Sequence, residues 1–138
     1  MFYLEYLEKL EPLKFQRETV MLKRGTVAQR VYFIVKGRVL NVQTQRIYSD
    51  GALIGETDII YKKRRTETFV ALDDIVHVLK IDARILREMM DIFPDIKKDL
   101  LEMAKEREIA RLRNDPRFQL QLVDHRNKIG IIMDLLNN

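Results

Sequence analysis

Cysteine is absent from the chain, which removes disulfides, thiol nucleophiles and thiolate metal sites and fits a reducing compartment. Histidine is nearly absent: His77 and His125 stand far apart and cannot make a metal site by themselves. No Ser/His/Asp grouping and no Walker loop occurs, so the residues point to binding or interaction and not to an enzyme. A dominant charge sign is also missing. Charged residues make up 33% of the 138, yet the net charge is only +4, so the surface is mixed in sign and general nucleic-acid binding is not suggested. No apolar run approaches the roughly 20 residues of a membrane span, and the first residues lack the charged-then-apolar form of a signal peptide. Internal repeats and low-complexity segments are absent too.

What remains is a chain of single-domain length whose 46% hydrophobic content can fill one core. Phe2, Leu4, Tyr6, Leu7, Leu10 and Leu13 fall at three- and four-residue spacings, which predicts a short amphipathic helix over 1–14, ended near Pro12. From Glu18 the pattern becomes that of strands: Thr19–Leu22, Val31–Val35, Arg38–Val42, Gln43–Tyr48, Thr68–Leu72 and Ile75–Ile81. Turn residues recur every ~8–12 positions, which predicts an antiparallel β-roll, jelly-roll-like, over 15–81. After Ile81 helical spacing takes over. Asp82 is the expected N-cap of a helix carrying Ile85, Leu86, Met89 and Met90, and Pro94 separates it from a second helix over about 96–113. These helices occupy 82–115, and a further helix or tail fills 116–138, so the fold class is α+β.

The stretch from Ser49 to Ala71 carries the chemistry. Gly51 and Gly55 close one strand-like run, a segment of about two turns follows, and the next strand begins after Arg64-Arg65-Thr66. Backbone N–H groups opening a short helix carry partial positive charge, so Gly55, Glu56, Thr57 and Asp58 can present an anion site without a lysine. Arg65 can close its other side with two parallel hydrogen bonds, and Glu56 can orient that arginine or accept a sugar hydroxyl. Met103, Arg107 and Ala110 lie at i, i+4 and i+7 of the second helix, which sets an arginine between apolar neighbours on one face.

Gly55-Glu56, eight residues, then Arg65-Thr66 resembles the phosphate-binding cassette of cyclic nucleotide-binding domains, in the version found in cyclic-nucleotide-modulated cation channels. Val31-Tyr32-Phe33-Ile34-Val35-Lys36-Gly37 is similar to that family's early strand, and the similarity runs from about Phe15 to Leu112. The resemblance implies that cyclic AMP or cyclic GMP binds, with the phosphate at Gly55 and Arg65, Thr66 beside it, and the ribose 2′-hydroxyl at Glu56. Arg107 would correspond to an arginine on the helix that covers the purine. The resemblance further implies no cofactor, no metal and a cytoplasmic location at the inner face of a membrane protein of which this chain is a piece. Such modules commonly form tetramers through a preceding linker. Little of that linker is present, so a monomer or weak dimer is expected for the domain alone, without membrane or nucleic-acid partners.

Three positions depart from the family pattern. Asp58 stands where a small or apolar residue is usual, Glu67 replaces an alanine, and Ile54 replaces a phenylalanine. A carboxylate at 58 repels a phosphate unless it turns away or is neutralised, and an inward Glu67 needs a partner such as Arg65. The rival expectation is therefore a domain that keeps this fold as a structural or interaction unit and binds no nucleotide. A transcription regulator would need a downstream helix-turn-helix, for which too few residues follow.

Overall fold

Alternating apolar residues form two facing sheets, and one of them is also covered by helices. The computed structural model describes residues 8–114. In chain order the elements are β1 (Glu11–Gln16), β2 (Val20–Leu22), β3 (Arg30–Lys36), β4 (Val39–Asn41), β5 (Ile47–Tyr48), β6 (Leu53–Ile54), α1 (Glu56–Ile60), β7 (Phe69–Ala71), β8 (Ile75–Asp82), α2 (Ala83–Ile92) and α3 (Pro94–Asn114). One sheet has the order β1-β8-β3-β6 and the other β2-β7-β4-β5, and every pairing is antiparallel. This is the β-roll with C-terminal helices that the α+β reading expects.

The two-residue period of β3 explains the layering. Tyr32 and Ile34 point between the sheets, where they meet Leu22, Val39, Ile54, Phe69, Ala71, Val76 and Val78. Val31 points the other way. It joins Ile81 in a second core with Ile59 of α1, Ile85 and Leu86 of α2, and Leu100 of α3. Because β3 is buried on both faces, displacing it would disturb both cores at once. Ile54, the residue at the phenylalanine position, is fully buried between the sheets.

The expected N-terminal helix is not found where its residues are described. Residues 8 and 9 form a turn, and 11–16 form β1, paired with β8 from Glu11↔Lys80 to Gln16↔Ile75. Leu13 and Phe15 pack on the inter-sheet core while their neighbours face solvent, so a two-residue period prevails over the helical spacing. Pro12 is tolerated because β1 lies at the sheet edge. The strand expected over 43–48 shortens to β5, since the Asn41 side chain accepts hydrogen bonds from the Gln43 and Thr44 backbone N–H groups and Gln45 has a φ of 62°. Asp82 takes the N-cap position of α2 but makes no side-chain capping bond. Pro94 opens α3 instead of preceding it, as suits a residue that lacks the N–H. The helix or tail expected over 116–138 lies outside the described residues.

Candidate functional site

Gly55 is the hinge on which the cassette turns. It holds a φ of 91°, which a residue with a side chain adopts at a cost, and a Cβ there would meet Arg65 Nη1 and Leu22 Cδ1 at 2.8 Å. The empty side of Gly55 is thus where the Arg65 guanidinium passes. Arg65 is 3% exposed and donates from Nη1 to the Gly55 carbonyl and from Nη2 to the Arg30 carbonyl. Asp58 Oδ2 lies 3.7 Å from Nη1. Burial lowers the Arg65 pKa and Asp58 opposes that shift.

Asp58 is the hub of this half of the site. Its Oδ1 accepts a hydrogen bond from the Thr66 hydroxyl at 2.9 Å while its Oδ2 faces Arg65. The carboxylate departing from the family pattern therefore neither turns to solvent nor stands alone. Burial still raises its pKa, against the stabilising effect of Thr66 and Arg65. Arg64, next in the basic run, is exposed and donates to the Gly25 carbonyl.

Glu56 is fully buried, and Arg107 of α3 pairs with its Oε1. Oε2 is buried with no hydrogen-bond partner among the described residues. Burial is the larger influence and raises the Glu56 pKa although Arg107 opposes it. Arg107 also lies over the Tyr48 ring, 5.0 Å from its centroid, so a cation–π contact adds to the ion pair. Neither Glu102 nor Glu106, the neighbours a purely helical reading would pair with it, is the partner found.

A second tie joins cassette and helix. Lys63 Nζ donates to Glu108 Oε1 at 3.0 Å, and Arg111 pairs with the same carboxylate. Burial alone would raise the Glu108 pKa, but the bonds from Arg111 and Lys63 outweigh it and hold the carboxyl below its usual range. Glu67 finds its partner in Asn41, whose side-chain N–H donates to it, and not in Arg65. Burial raises the Glu67 pKa, and the nearby Asp58 charge acts in the same direction.

Some of these residues border a cavity of about 150 Å³, lined by Gly55, Thr57 and Asp58 of the cassette, Arg107, Ala110 and Arg111 of α3, and Asn41, Thr44, Arg46, Tyr48, Glu67 and Phe69 of the second sheet and its loops. Pockets for drug-sized ligands usually start near roughly 300 Å³, so the space is tight. The expected site residues Gly55, Thr57 and Arg107 all border it. Glu56, Arg65 and Thr66 do not line it; Thr66 is bonded to Asp58, and Arg65 borders a separate groove with Leu22, Arg30 and Tyr32. Sequence reasoning did not single out Asn41, Arg46, Tyr48 or Arg111. Only Asn41 left a signal, a polar residue inside the apolar run Val39 to Val42. Among the described residues no group of three or more acidic, histidine or cysteine side chains is placed to hold a metal ion.

A cavity shared between a glycine-hinged cassette and a helix, on a roll of two four-stranded sheets, is the arrangement of a ligand-binding domain. The family model described as cyclic nucleotide-binding domain matches residues 12–93, more than half of the chain. The chain belongs to the cyclic nucleotide-binding domain family. A solved structure from Geobacter metallireducens GS-15, titled as a candidate cyclic nucleotide-binding protein, is similar at a TM-score of 0.62 and 22% identity. The match covers 78% of this chain and 83% of that one, and at such identity it speaks for the fold. Among curated proteins there is no match to this chain.

Proposed function

We propose that the domain is a regulatory sensor of a cyclic nucleotide and has no catalytic activity of its own. The observation that carries this reading is the cavity bounded by the cassette on one side and Arg107, Ala110 and Arg111 on the other. The cyclic phosphate would sit against the backbone of Gly55, Glu56, Thr57 and Asp58, with Arg65 and Thr66 as its charged and hydroxyl donors. Glu56 is fully buried and does not line the cavity, so its Oε2, an acceptor without a partner among the described residues, would meet a ribose hydroxyl only after α3 shifts. Tyr48 and Phe69, with ring centroids 5.9 Å apart, offer apolar faces to the base, and α3 would cover it. Ligand binding would be coupled to α3 because Arg107 and Glu108 already tie that helix to the cassette.

The finer context follows the resemblance of Ser49–Ala71 to the cation-channel version of the cassette: a module on the cytoplasmic side of a membrane protein, tetrameric when its linker is present. No helix among the described residues is long and apolar enough to cross a membrane.

Calorimetric titration with cyclic AMP and cyclic GMP tests the sensor reading, with Ala110→Trp as the control that fills the cavity from α3 and leaves every cassette residue unchanged. Saturable binding that the tryptophan abolishes is the expected result. Absence of heat with both nucleotides, from protein shown to be folded, would overturn sensing by the native chain.

A further inference from the structure

The two groups expected to receive the ligand's phosphate are already held by an anion of the protein itself. Thr66 donates its hydroxyl to Asp58 Oδ1 at 2.9 Å, and Arg65 Nη1 lies 3.7 Å from Asp58 Oδ2. Asp58 is 4% exposed, yet it lines the cavity, whereas Arg65 does not. Asp58 thus borders the cavity and at the same time contacts both donors, neither of which borders it. Arg65 has other reasons to stay where it is, since the Gly55 and Arg30 carbonyls take hydrogen bonds from Nη1 and Nη2. A phosphate placed beside an ionised Asp58 would face a like charge in a poorly hydrated setting, and Glu67 lines the same cavity with a second carboxyl. Two anions cannot share Arg65 and Thr66 at full strength, so one must give way.

Resting on the sensor reading above, we propose that Asp58 is an internal competitor for the phosphate of the ligand, and that its displacement sets the concentration at which the domain responds. The side chain occupies Arg65 and Thr66 in the free domain and has to swing away before either can reach a nucleotide. Affinity is then the difference between two anions on one pair of donors. Its removal strengthens binding, which a merely structural aspartate would not do.

The test is titration of the wild-type domain, Asp58→Asn and Asp58→Ala with cyclic AMP and with adenosine, each protein first checked by circular dichroism and thermal melting. Asp58→Asn keeps the shape and most of the packing if the alanine variant folds poorly. Asp58→Asn is expected to bind cyclic AMP at least about tenfold more tightly than wild type, with no comparable gain for adenosine, which carries no phosphate. Binding by the variants alone would also support the competitor and at the same time overturn sensing by the native chain. Equal or weaker cyclic AMP binding by both folded variants, beside a wild type that binds, would overturn the competitor and leave the sensor standing. An equal gain for adenosine would overturn it as well, as a general opening of the cavity. Binding by none of the folded proteins would overturn both readings.

Discussion

The left-handed backbone at Gly55 and the atoms beside it make a sharp comparison between two glycines. Gly55 and Gly51 have φ values of 91° and 86°, but a Cβ meets atoms at 2.8 Å only at Gly55 and nothing within 4 Å at Gly51. Gly51→Ala is expected to lose only the backbone strain, about 1 kcal/mol, and Gly55→Ala more, about 2–3 kcal/mol, because Arg65 and Leu22 must also shift. Urea denaturation of the two variants measures the difference, and equal losses would refute the steric part. That Arg65 would come beside Gly55 was legible in the sequence through the resemblance of Gly55-Glu56 and Arg65-Thr66 to a known cassette. The direction taken by Asp58 and Glu67 was not. A carboxylate can face a cavity, solvent or a neighbour from the same backbone position, and only folding brought Thr66, Arg65 and Asn41 within reach.

At the scale of elements, α3 is held to α1 by a buried acid and its arginine. In Arg107→Met the Glu56 carboxylate would lose its charged partner in a site where it is fully buried. Arg107 itself is 18% exposed, so a loss of about 2 kcal/mol at neutral pH is expected, below the range for a fully enclosed pair. The loss should shrink as pH falls, because burial already raises the Glu56 pKa and a protonated Glu56 has no charge left to compensate. Denaturation at pH 7.5 and at about pH 5 checks this, and an identical loss at both would argue against the ion pair as the cause. The strand blocks and the two helices split at Pro94 were readable from period and punctuation. Residues 11–14 of β1 were misread as helix because Leu10 and Leu13 also fit a three-residue spacing, and the partner residues in β8 lie 59 to 69 positions away in the chain. Long-range pairing of that kind leaves no mark in a local pattern.

For the whole molecule, the buried carboxyls decide how stability follows pH. Glu56, Asp58 and Glu67 all have raised pKa values, burial being the first cause of each. A raised folded-state pKa means that the folded form binds protons more readily than the unfolded chain, so stability grows as pH falls from neutrality through those values. Asp73, lowered chiefly by its bond from Arg38, and Glu108 act oppositely, and their contribution is lost once pH drops through their depressed values. The melting temperature is expected to rise from pH 7.5 toward about pH 5 and to fall again below the ordinary carboxylate range near about 4. Glu67→Gln should flatten the rising limb, and a melting temperature that falls steadily from pH 7.5 would contradict the scheme. Geometry gives the same charges a mechanical meaning. Leu100 and Ala104 anchor α3 in buried surroundings, while Arg107 and Glu108, paired with Glu56 and Lys63, clasp its last turns. From Ala104 to Asn114 the helix reaches about 15 Å at its usual rise, so that unclasping it and tilting it by roughly 20° would carry its tip about 5 Å. Ala104 would be the fulcrum and the cassette the latch, and a charge moved by a few ångströms inside the cavity would be read out as a longer stroke at the far end of the arm.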